Sequence, residues 1–461
     1  MSKIRLSFIL LLIPFCIFGQ KTDVEFLLQK IKLDYPGFAE KTKGIDFDKF
    51  ASKTIFNNRE DTFKAMAIIV DFFKDRHLDL VKLKDTTLIN KIKCTQDLKV
   101  VINYLNKKLK KYPYEGYWVN DYNNCVIAII RKNKFKYEGY VVESRDSNIL
   151  YPGSLSYEFD LTGTNVFLTK FTSDYSGTMF YIRSSFRNDS LLITGANGKW
   201  KKIKHYTNPI ITSLPVFDDA AKSVLLDKDN FLVTIPICSG SNAEIIDSLL
   251  KVNYQVISRT KNLIIDIRQN MGGTVRAYLP LLPFIYTRPI KKVNIDFYCS
   301  EDAINKTQEN IQAYIAKGNV DSNTLKSWYK LLQVEKDSIG KFISDKQEIL
   351  KYDSVMSYPQ NVGIIINYAC QSAAEIMLLD CMQSDKVTLF GEHTMGAVDF
   401  LDYYALNLPS NKYQLKVATT RRIIPSGKEK LDYKGIYPNI KIPDTNNNWV
   451  DFVRHYYEEK H

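Results

Sequence analysis

Ser372 lies in the segment NYACQSAAEIMLLD (residues 367–380), where an apolar run gives way to a helical pattern. Its side chain has two possible roles. Ser372 and Glu375 have the spacing of a capping box, in which the serine hydroxyl accepts a backbone N–H and the glutamate reaches back. Alternatively, Ser372 is a nucleophile exposed where a buried strand turns into a helix. The pattern alone favours the cap, because S-x-x-E before an apolar run is common.

A glycine pair follows a second apolar run and could complete a site around Ser372. The strand-like segment NLIIDIR (262–268) ends in QNMGG, so Gly272 and Gly273 can bring bare backbone N–H groups close to a ligand. Ligands gather outside the carboxyl ends of such strands in α/β sheets. At the start of the next helix, the N–H of Ala373 would be a further donor to an oxyanion. Each motif alone predicts only a turn or a cap, but both on neighbouring strands favour a site.

The elements that must position these residues fall into three regions. Residues 20–112 have helical patterns, and the helical spacing in 58–77 places His77 on the buried stripe at a helix C-terminus. Residues 113–205 contain short aromatic and β-branched runs between turns, which predicts a small antiparallel barrel or sandwich. Residues 206–461 alternate strands and helices, with an inserted helical hairpin at 301–355. We therefore predict an α/β protein of several domains, with a parallel or mixed sheet in the last region.

The N-terminus has the pattern of a secretory signal peptide. Lys3 and Arg5 precede an apolar run from Leu6 to Phe18, which is too short to span a membrane. We expect cleavage near Gly19–Gln20 and a mature protein that is periplasmic or secreted. Cys16 follows a phenylalanine instead of Gly, Ala or Ser, which argues against a lipid anchor.

The formal charge of +12 falls to +10 if Lys3 and Arg5 leave with the signal peptide. The basic residues are scattered, without zinc-ligand spacing or an aromatic-interleaved stripe, so we expect neither a nucleic-acid partner nor a metal site. The six remaining cysteines include no CxxC pair and predict no disulfide framework. Cys238 and Cys370 end apolar strands, where a free cysteine is usually a small core residue.

Four segments, taken in order, resemble the tail-specific (C-terminal processing) and tricorn-core serine peptidase family. They are LIIDIRQNMGG, VGIIINYACQSAAEI, LFGEHTMG and LDYKGIYPNI, and the resemblance covers about residues 225–445. It implies a mixed-sheet core of the ClpP/crotonase-like type. It also implies that the first segment lines the oxyanion site and that Ser372, three residues before Glu375, is the nucleophile.

The resemblance also indicates the base. Bacterial processing peptidases use a lysine after the G-E-x-T-x-G turn, where this chain has Ala397, so a Ser–Lys dyad is not expected. The tricorn branch uses a histidine from the N-terminal segment, and His77 in DRHLDL matches it. A carboxylate before the G-I strand completes that arrangement, and Asp432 occupies its position. Two departures accompany the match: Arg76 replaces the serine before the histidine, and Asp432 replaces the usual glutamate.

The chemistry of this set is that of acyl transfer. A serine hydroxyl needs an adjacent base, and a neutral imidazole titrates in the right range. A carboxylate on the other ring nitrogen fixes the tautomer and stabilises the imidazolium. Asp75 is a local alternative to Asp432 for this role, and His393 is a rival base. The alternative for His77 is a structural one, because a histidine near a helix C-terminus is favourable there.

The sequence thus predicts a serine peptidase that acts on a peptide or protein substrate and needs no cofactor. A catalytically weak relative that binds a peptide or an apolar ligand is the alternative, and a scaffold built on the β-rich region is a third possibility. The processing peptidases usually carry a PDZ module before the catalytic core. The β-rich region at 113–205 lies in that place but lacks the G-L-G carboxylate-binding turn, so no PDZ domain is recognised.

Overall fold

The computed structural model describes residues 16–83, 97–108, 112–120, 125–145, 150–172, 178–187, 190–193, 199–206, 218–318, 320–344, 346–443, 446 and 448–459. Most of the predicted signal peptide (residues 1–15) and Cys94 lie outside these residues. No helix of the described part is both long and apolar enough to cross a bilayer. The five described cysteines that follow the signal region are buried thiols, namely Cys125, Cys238, Cys299, Cys370 and Cys381.

Helices dominate the N-terminal region. The elements in order are α1 (Cys16–Asp34), α2 (Phe38–Lys41), α3 (Phe47–Asn57), α4 (Thr62–Asp71), β1 (Asp79–Lys82) and α5 (Leu98–Lys107). Asp46 and Asp61 cap α3 and α4, each accepting a backbone N–H of the first turn. The buried face of α4, with Phe63, Met66 and Val70, packs in one core with α1 and β1.

The position of His77 differs from the prediction. Helix α4 ends at Asp71, and Lys74 has a left-handed φ of 46° that turns the chain out of the helical direction. His77 therefore lies in the connection between α4 and β1. A stabilising interaction with the dipole of α4, the structural alternative for this histidine, is excluded by that path.

The β-rich region forms an antiparallel meander. Its strands are β2 (Gly116–Asn120), β3 (Cys125–Arg131), β4 (Lys136–Ser144), β5 (Leu155–Gly163), β6 (Val166–Thr172), β7 (Met179–Arg187), β8 (Ser190–Ile193) and β9 (Lys199–Ile203). Strand β8 pairs with both β7 and β9, and β9 pairs with β2, so the meander closes on itself. Aromatic rings, including Trp118, Phe159, Phe167 and Trp200, fill its interior. The predicted small barrel matches this closure.

The last region begins with an alternation of strands and helices. The elements are β10 (Lys222–Leu225), β11 (Asn230–Thr234), α6 (Gly240–Val252), α7 (Tyr254–Ile257), β12 (Asn262–Asp266), α8 (Leu282–Ile285), β13 (Ile290–Lys291) and β14 (Ile295–Tyr298). The helical insertion follows as α9 (Glu301–Ala316) and α10 (Ser322–Lys336), and then β15 (Phe342–Ser344) and β16 (Ile349–Leu350). The insertion is thus a helical hairpin only as far as Lys336, and its return path is extended.

The chain ends with β17 (Asn361–Ile366), α11 (Ala373–Cys381), β18 (Val387–Gly391), β19 (Phe400–Asn407), β20 (Tyr413–Arg422), β21 (Ile440–Lys441) and α12 (Trp449–Glu459). The described strands of the core sheet have the order β10-β11-β12-β17-β18-β21, and only the β10–β11 pairing is antiparallel. Parallel strands buried on both faces explain the continuous apolar runs in the sequence. The carboxyl ends of β12 and β17 therefore meet at one edge.

A second sheet joins the N-terminal, β-rich and C-terminal regions. Strand β1 pairs with β7 on one side and with β20 on the other, and β20 also pairs with β14 and β19. Because β1 directly follows His77, this pairing fixes the histidine segment against the C-terminal part of the chain. The link between the regions is a set of backbone hydrogen bonds.

Candidate active site

Ser372 lies at the turn between β17 and α11, in the N-cap position. Its backbone is strained, with φ 56° and ψ −121°, values that a non-glycine residue rarely adopts. Ser372 and Glu375 have the capping-box arrangement that the sequence predicted, and the Ser372 N–H donates to Glu375 Oε2 at 3.3 Å. The turn thus exposes the hydroxyl at the carboxyl edge of the core sheet, as in a nucleophile turn.

His77 faces this hydroxyl. The distance from His77 Nε2 to Ser372 Oγ is 3.2 Å, within reach for proton transfer, although 295 residues separate the two in sequence. The structure thus satisfies the distance that the predicted pair requires. The rival base, His393, has its Nδ1 2.8 Å from the Thr394 carbonyl and stacks on Tyr437. It makes no hydrogen bond to Ser372 within the described part of the chain.

The surroundings of His77 favour the neutral imidazole. Burial lowers its pKa below the ordinary value, and the charge of Lys416 acts in the same direction. The carboxylates of Asp75 and Asp402 raise the pKa, as does the backbone carbonyl of Phe400, without cancelling the effect of burial. A neutral imidazole is the form that can accept a proton from serine.

The second ring nitrogen, His77 Nδ1, is buried and has no hydrogen-bond partner of normal geometry among the described residues. Asp75 is close to His77 in sequence, but its Oδ1 accepts the His77 backbone N–H at 2.8 Å. Asp402 lies within β19 with φ 46°, and its Oδ2 accepts from the Thr420 hydroxyl at 3.1 Å. Two carboxylates thus act on His77 through space.

Asp432 is not in hydrogen-bond contact with His77, contrary to the arrangement that the resemblance implied. Its Oδ1 accepts the backbone N–H groups of Val398 and Asp399, at 3.2 and 3.0 Å, and its Oδ2 lies 3.7 Å from Lys41 Nζ. Burial raises the pKa of Asp432 well above its usual range, and repulsion by Asp75 and Asp399 adds to the rise. In this geometry Asp432 holds the 398–399 backbone, and no hydrogen bond joins it to His77.

The predicted oxyanion donors separate into two classes. The Gly272 N–H is occupied, because it donates to the side-chain oxygen of Asn270 at 2.9 Å. The N–H groups of Gly273 and Ala373 have no acceptor among the described residues. Gly272 allows a close approach instead: with φ +93°, a Cβ there would lie 2.8 Å from the Ser372 Cβ and 3.0 Å from the Ala373 N. Gly273 and Ala373 are therefore the pair that could bind an oxyanion.

A cleft of about 380 Å³ opens next to this pair. Ser372, Ala373 and Gly273 form one wall, and Val275, Ile376 and Leu401 supply apolar surface. The extended return of the insertion contributes Lys346 and Glu348 at the rim, where both are exposed. The insertion thus lines part of this cleft.

Sequence reasoning did not anticipate how much Glu375 organises the site. Its carboxylate is fully buried and accepts from the N–H groups of Gly396 at 2.9 Å and Ala397 at 2.7 Å. It also accepts from the Ser372 N–H and from the Thr394 hydroxyl. Burial raises the pKa of Glu375, although these four hydrogen bonds act against the rise. The S-x-x-E spacing signalled the contact to Ser372, but nothing local signalled the contacts to the 394–397 turn.

Residues 232–442 match the sequence model of peptidase family S41. This region is an S41 peptidase domain. The match identifies the chain as a serine peptidase, in agreement with the resemblance of its four segments. The matched region includes Asp432 but does not extend to His77, which the pairing of β1 with β20 brings to the domain.

Several solved structures share a distant likeness of shape with this chain. Mature CPAF has a TM-score of 0.49 at 13% identity, over 96% of each chain. The photosystem II D1 C-terminal processing protease has 0.41 at 13%, over 92% of this chain and 93% of that one. The tricorn protease has 0.33 at 11%, over 96% of this chain and 37% of that one. Comparison with curated proteins gave no match.

Proposed function

We propose that this S41 peptidase hydrolyses peptide bonds through an acyl-enzyme on Ser372, with His77 as general base. The observation that carries the proposal is the 3.2 Å separation of Ser372 Oγ and His77 Nε2, at a strained strand-to-helix turn. Two further observations support it. The N–H groups of Gly273 and Ala373, which have no acceptor among the described residues, line the same cleft as Ser372, and burial lowers the pKa of His77 and so favours the neutral imidazole.

The proposed reaction has two steps. Ser372 Oγ attacks the scissile carbonyl while His77 Nε2 takes the hydroxyl proton, and the N–H groups of Gly273 and Ala373 bind the oxyanion. The C–N bond then breaks and the leaving amine takes the proton from His77. Water repeats the sequence on the ester, with His77 again as base, and releases the new carboxylate. No cofactor enters this scheme.

We also propose that the enzyme works outside the cytoplasm, in the periplasm or as a secreted protein. The charge and the apolar run of residues 1–19 support export, with cleavage near Gly19–Gln20. Expression in a bacterial host followed by N-terminal sequencing of the exported protein tests this. A mature chain that starts at Gln20 is expected, and a cytoplasmic protein that retains Met1 would contradict it.

The peptidase proposal is tested by hydrolysis of a mixed peptide library, followed by mass spectrometry. The parent protein should cleave peptides, whereas Ser372→Ala and His77→Ala should be inactive to background. Ser327→Ala, a surface serine on α10 whose hydroxyl bonds only the Asn323 carbonyl, is the matched control and should keep full activity. A parent protein no faster than Ser372→Ala would favour the alternative, a binding protein for peptides or apolar ligands.

A further inference from the structure

Arg76, directly before His77, has an unusual environment for a guanidinium group. Its Nε is buried without an acceptor, and no hydrogen bond or ion pair to Arg76 is formed within the described part of the chain. The guanidinium carbon lies 4.0 Å above the centre of the Tyr433 ring. That ring is held by a backbone with φ 63°, an uncommon conformation for a bulky residue. Stacking fixes the plane of the guanidinium and leaves its donors unpaired.

The neighbouring charges already have other interactions. Arg183 is paired with Asp71 at 2.7 Å, and Lys416 stabilises the charge of Asp79. Asp75 uses one oxygen for the His77 N–H. Arg76 and Lys416 are thus the cations of this cluster without a carboxylate within ion-pair distance among the described residues, and Arg76 is the one that adjoins Tyr433 and His77. A buried cation usually has such a partner, because leaving it unpaired is costly.

A pocket of about 220 Å³ lies in front of this cluster, between α4, β1 and β7. Arg76, Arg183 and Lys416 line it together with Gln371 and Tyr433. Three carboxylates also line it: Asp71 is paired with Arg183, Asp75 accepts the His77 N–H, and Asp79 accepts the Leu80 N–H. Gln371 is the residue before Ser372, so the pocket reaches the nucleophile turn, whose next residues line the cleft that contains Gly273. Both cavities are therefore next to the position of a scissile bond at Ser372.

We propose that the Arg76 pocket binds a carboxylate of the peptide substrate, close to the scissile bond. The planar fork of a guanidinium fits a carboxylate with two parallel N–H···O bonds, and its stacking on Tyr433 reduces the entropy lost on binding. The carboxylate belongs either to an aspartate or glutamate side chain or to a free C-terminus. The inference rests on the proposed function, since it names the substrate class of the same site.

The test compares matched peptides. Peptides that differ only by glutamate or glutamine at one position, each with a free or amidated C-terminus, are assayed with the parent enzyme. We expect kcat/KM to be about tenfold or more higher for the carboxylate form at one position, the size of one charge-assisted pair. A preference for glutamate identifies a side-chain subsite, and a preference for the free acid terminus identifies a terminal one.

Two variants assign the preference to Arg76. Arg76→Gln should abolish it, and Arg76→Lys should keep part of it, because lysine retains the charge without the fork. Arg183→Gln is the matched control, a cation of the same pocket that is already paired, and it should retain the preference. Equal loss in Arg183→Gln and Arg76→Gln would overturn the assignment, as would a parent enzyme that cleaves neutral and acidic peptides equally well.

Binding to the Ser372→Ala protein separates this inference from the proposed function. Fluorescence anisotropy with the same labelled peptides requires no turnover. In the Ser372→Ala background, Arg76→Lys should weaken the binding preference for the carboxylate form, and Arg76→Gln should abolish it. This result supports the pocket even if the parent enzyme cleaves nothing. Hydrolysis of peptides without any carboxylate preference in binding would leave the proposed function intact and refute the pocket.

Discussion

Substitution of Gly272 by alanine tests the close packing of the glycine turn against the nucleophile. No catalytic group is removed, because the Gly272 N–H already donates to Asn270 and alanine keeps it. The added Cβ, however, would lie 2.8 Å from the Gln371 carbonyl oxygen and 2.8 Å from the Ser372 Cβ. Contacts this short force a shift, and both neighbours belong to the turn that holds the reacting hydroxyl.

Gly272→Ala should lower both the free energy of unfolding and kcat, and the loss of stability has two parts. Alanine at φ +93° costs about 1–2 kcal/mol in backbone strain, and overpacking adds about 1–3 kcal/mol to the loss in free energy of unfolding. A shift of Ser372 by a few tenths of an ångström should lower kcat about tenfold or more, given that misplacement by about 1 Å can cost about a hundredfold.

Gly340→Ala is the matched control. Gly340 has φ +76°, but a Cβ there would meet nothing within 4 Å. Gly340→Ala should therefore lower the free energy of unfolding by the backbone strain alone, about 1–2 kcal/mol, and leave kcat unchanged. Calorimetric unfolding and peptide hydrolysis, measured at a temperature where both variants are folded, separate the two parts. Full activity in Gly272→Ala, or equal loss in Gly340→Ala, would refute the packing argument.

Three other predictions follow from the site. A protonated His77 cannot accept the serine proton, and burial lowers its pKa, so kcat/KM should rise with pH and reach half its maximum below about pH 6.5. Lys416→Gln should move this midpoint to higher pH, because the charge of Lys416 lowers the pKa of His77. An unchanged midpoint would show that Lys416 has no such effect. Asp432→Asn should change kcat by less than about tenfold, since the asparagine oxygen can still accept from the N–H groups of Val398 and Asp399. Asp75→Asn should lower kcat more, because the Asp75 carboxylate stabilises the imidazolium of His77. The reverse order would restore Asp432 as the orienting acid. Glu375→Gln should lower the free energy of unfolding by about 2–4 kcal/mol, because the charged acceptor of the Gly396 and Ala397 N–H groups is lost. Glu309→Gln, on the surface of α9, is the control and should lower it far less. Equal losses for the two variants in urea titrations would contradict this prediction.

Much of the core was predictable because its signals are local. The apolar runs at 262–268 and 361–370 predicted buried strands, and the structure has β12 and β17 there, with the glycine turn and Ser372 at their carboxyl ends. Both faces of these strands are covered, so each strand is a continuous apolar run, which a short stretch of sequence is enough to show. The helical hairpin of the insertion was predicted from the polar composition of 301–355, and the structure has helices there as far as Lys336.

The rest depends on contacts that local patterns do not contain. The helical spacing of residues 58–77 continued past Asp71, but the left-handed turn at Lys74 ends it and redirects His77. Nothing near β1 indicates that it pairs with β20, more than 330 residues later, and that pairing determines what His77 faces. The environment of Asp432 likewise arises from Lys41 and from the 398–399 backbone, which come from separate parts of the chain.

The central claim is that Ser372 forms the acyl-enzyme with His77 as its base. Labelling the purified protein with a serine-directed fluorophosphonate, followed by peptide mapping, tests it most directly. The account predicts one adduct, on Ser372, that forms fast in the parent protein, is absent in Ser372→Ala and is strongly slowed in His77→Ala. An adduct on another residue, or labelling of Ser372 at the same rate without His77, would contradict the account.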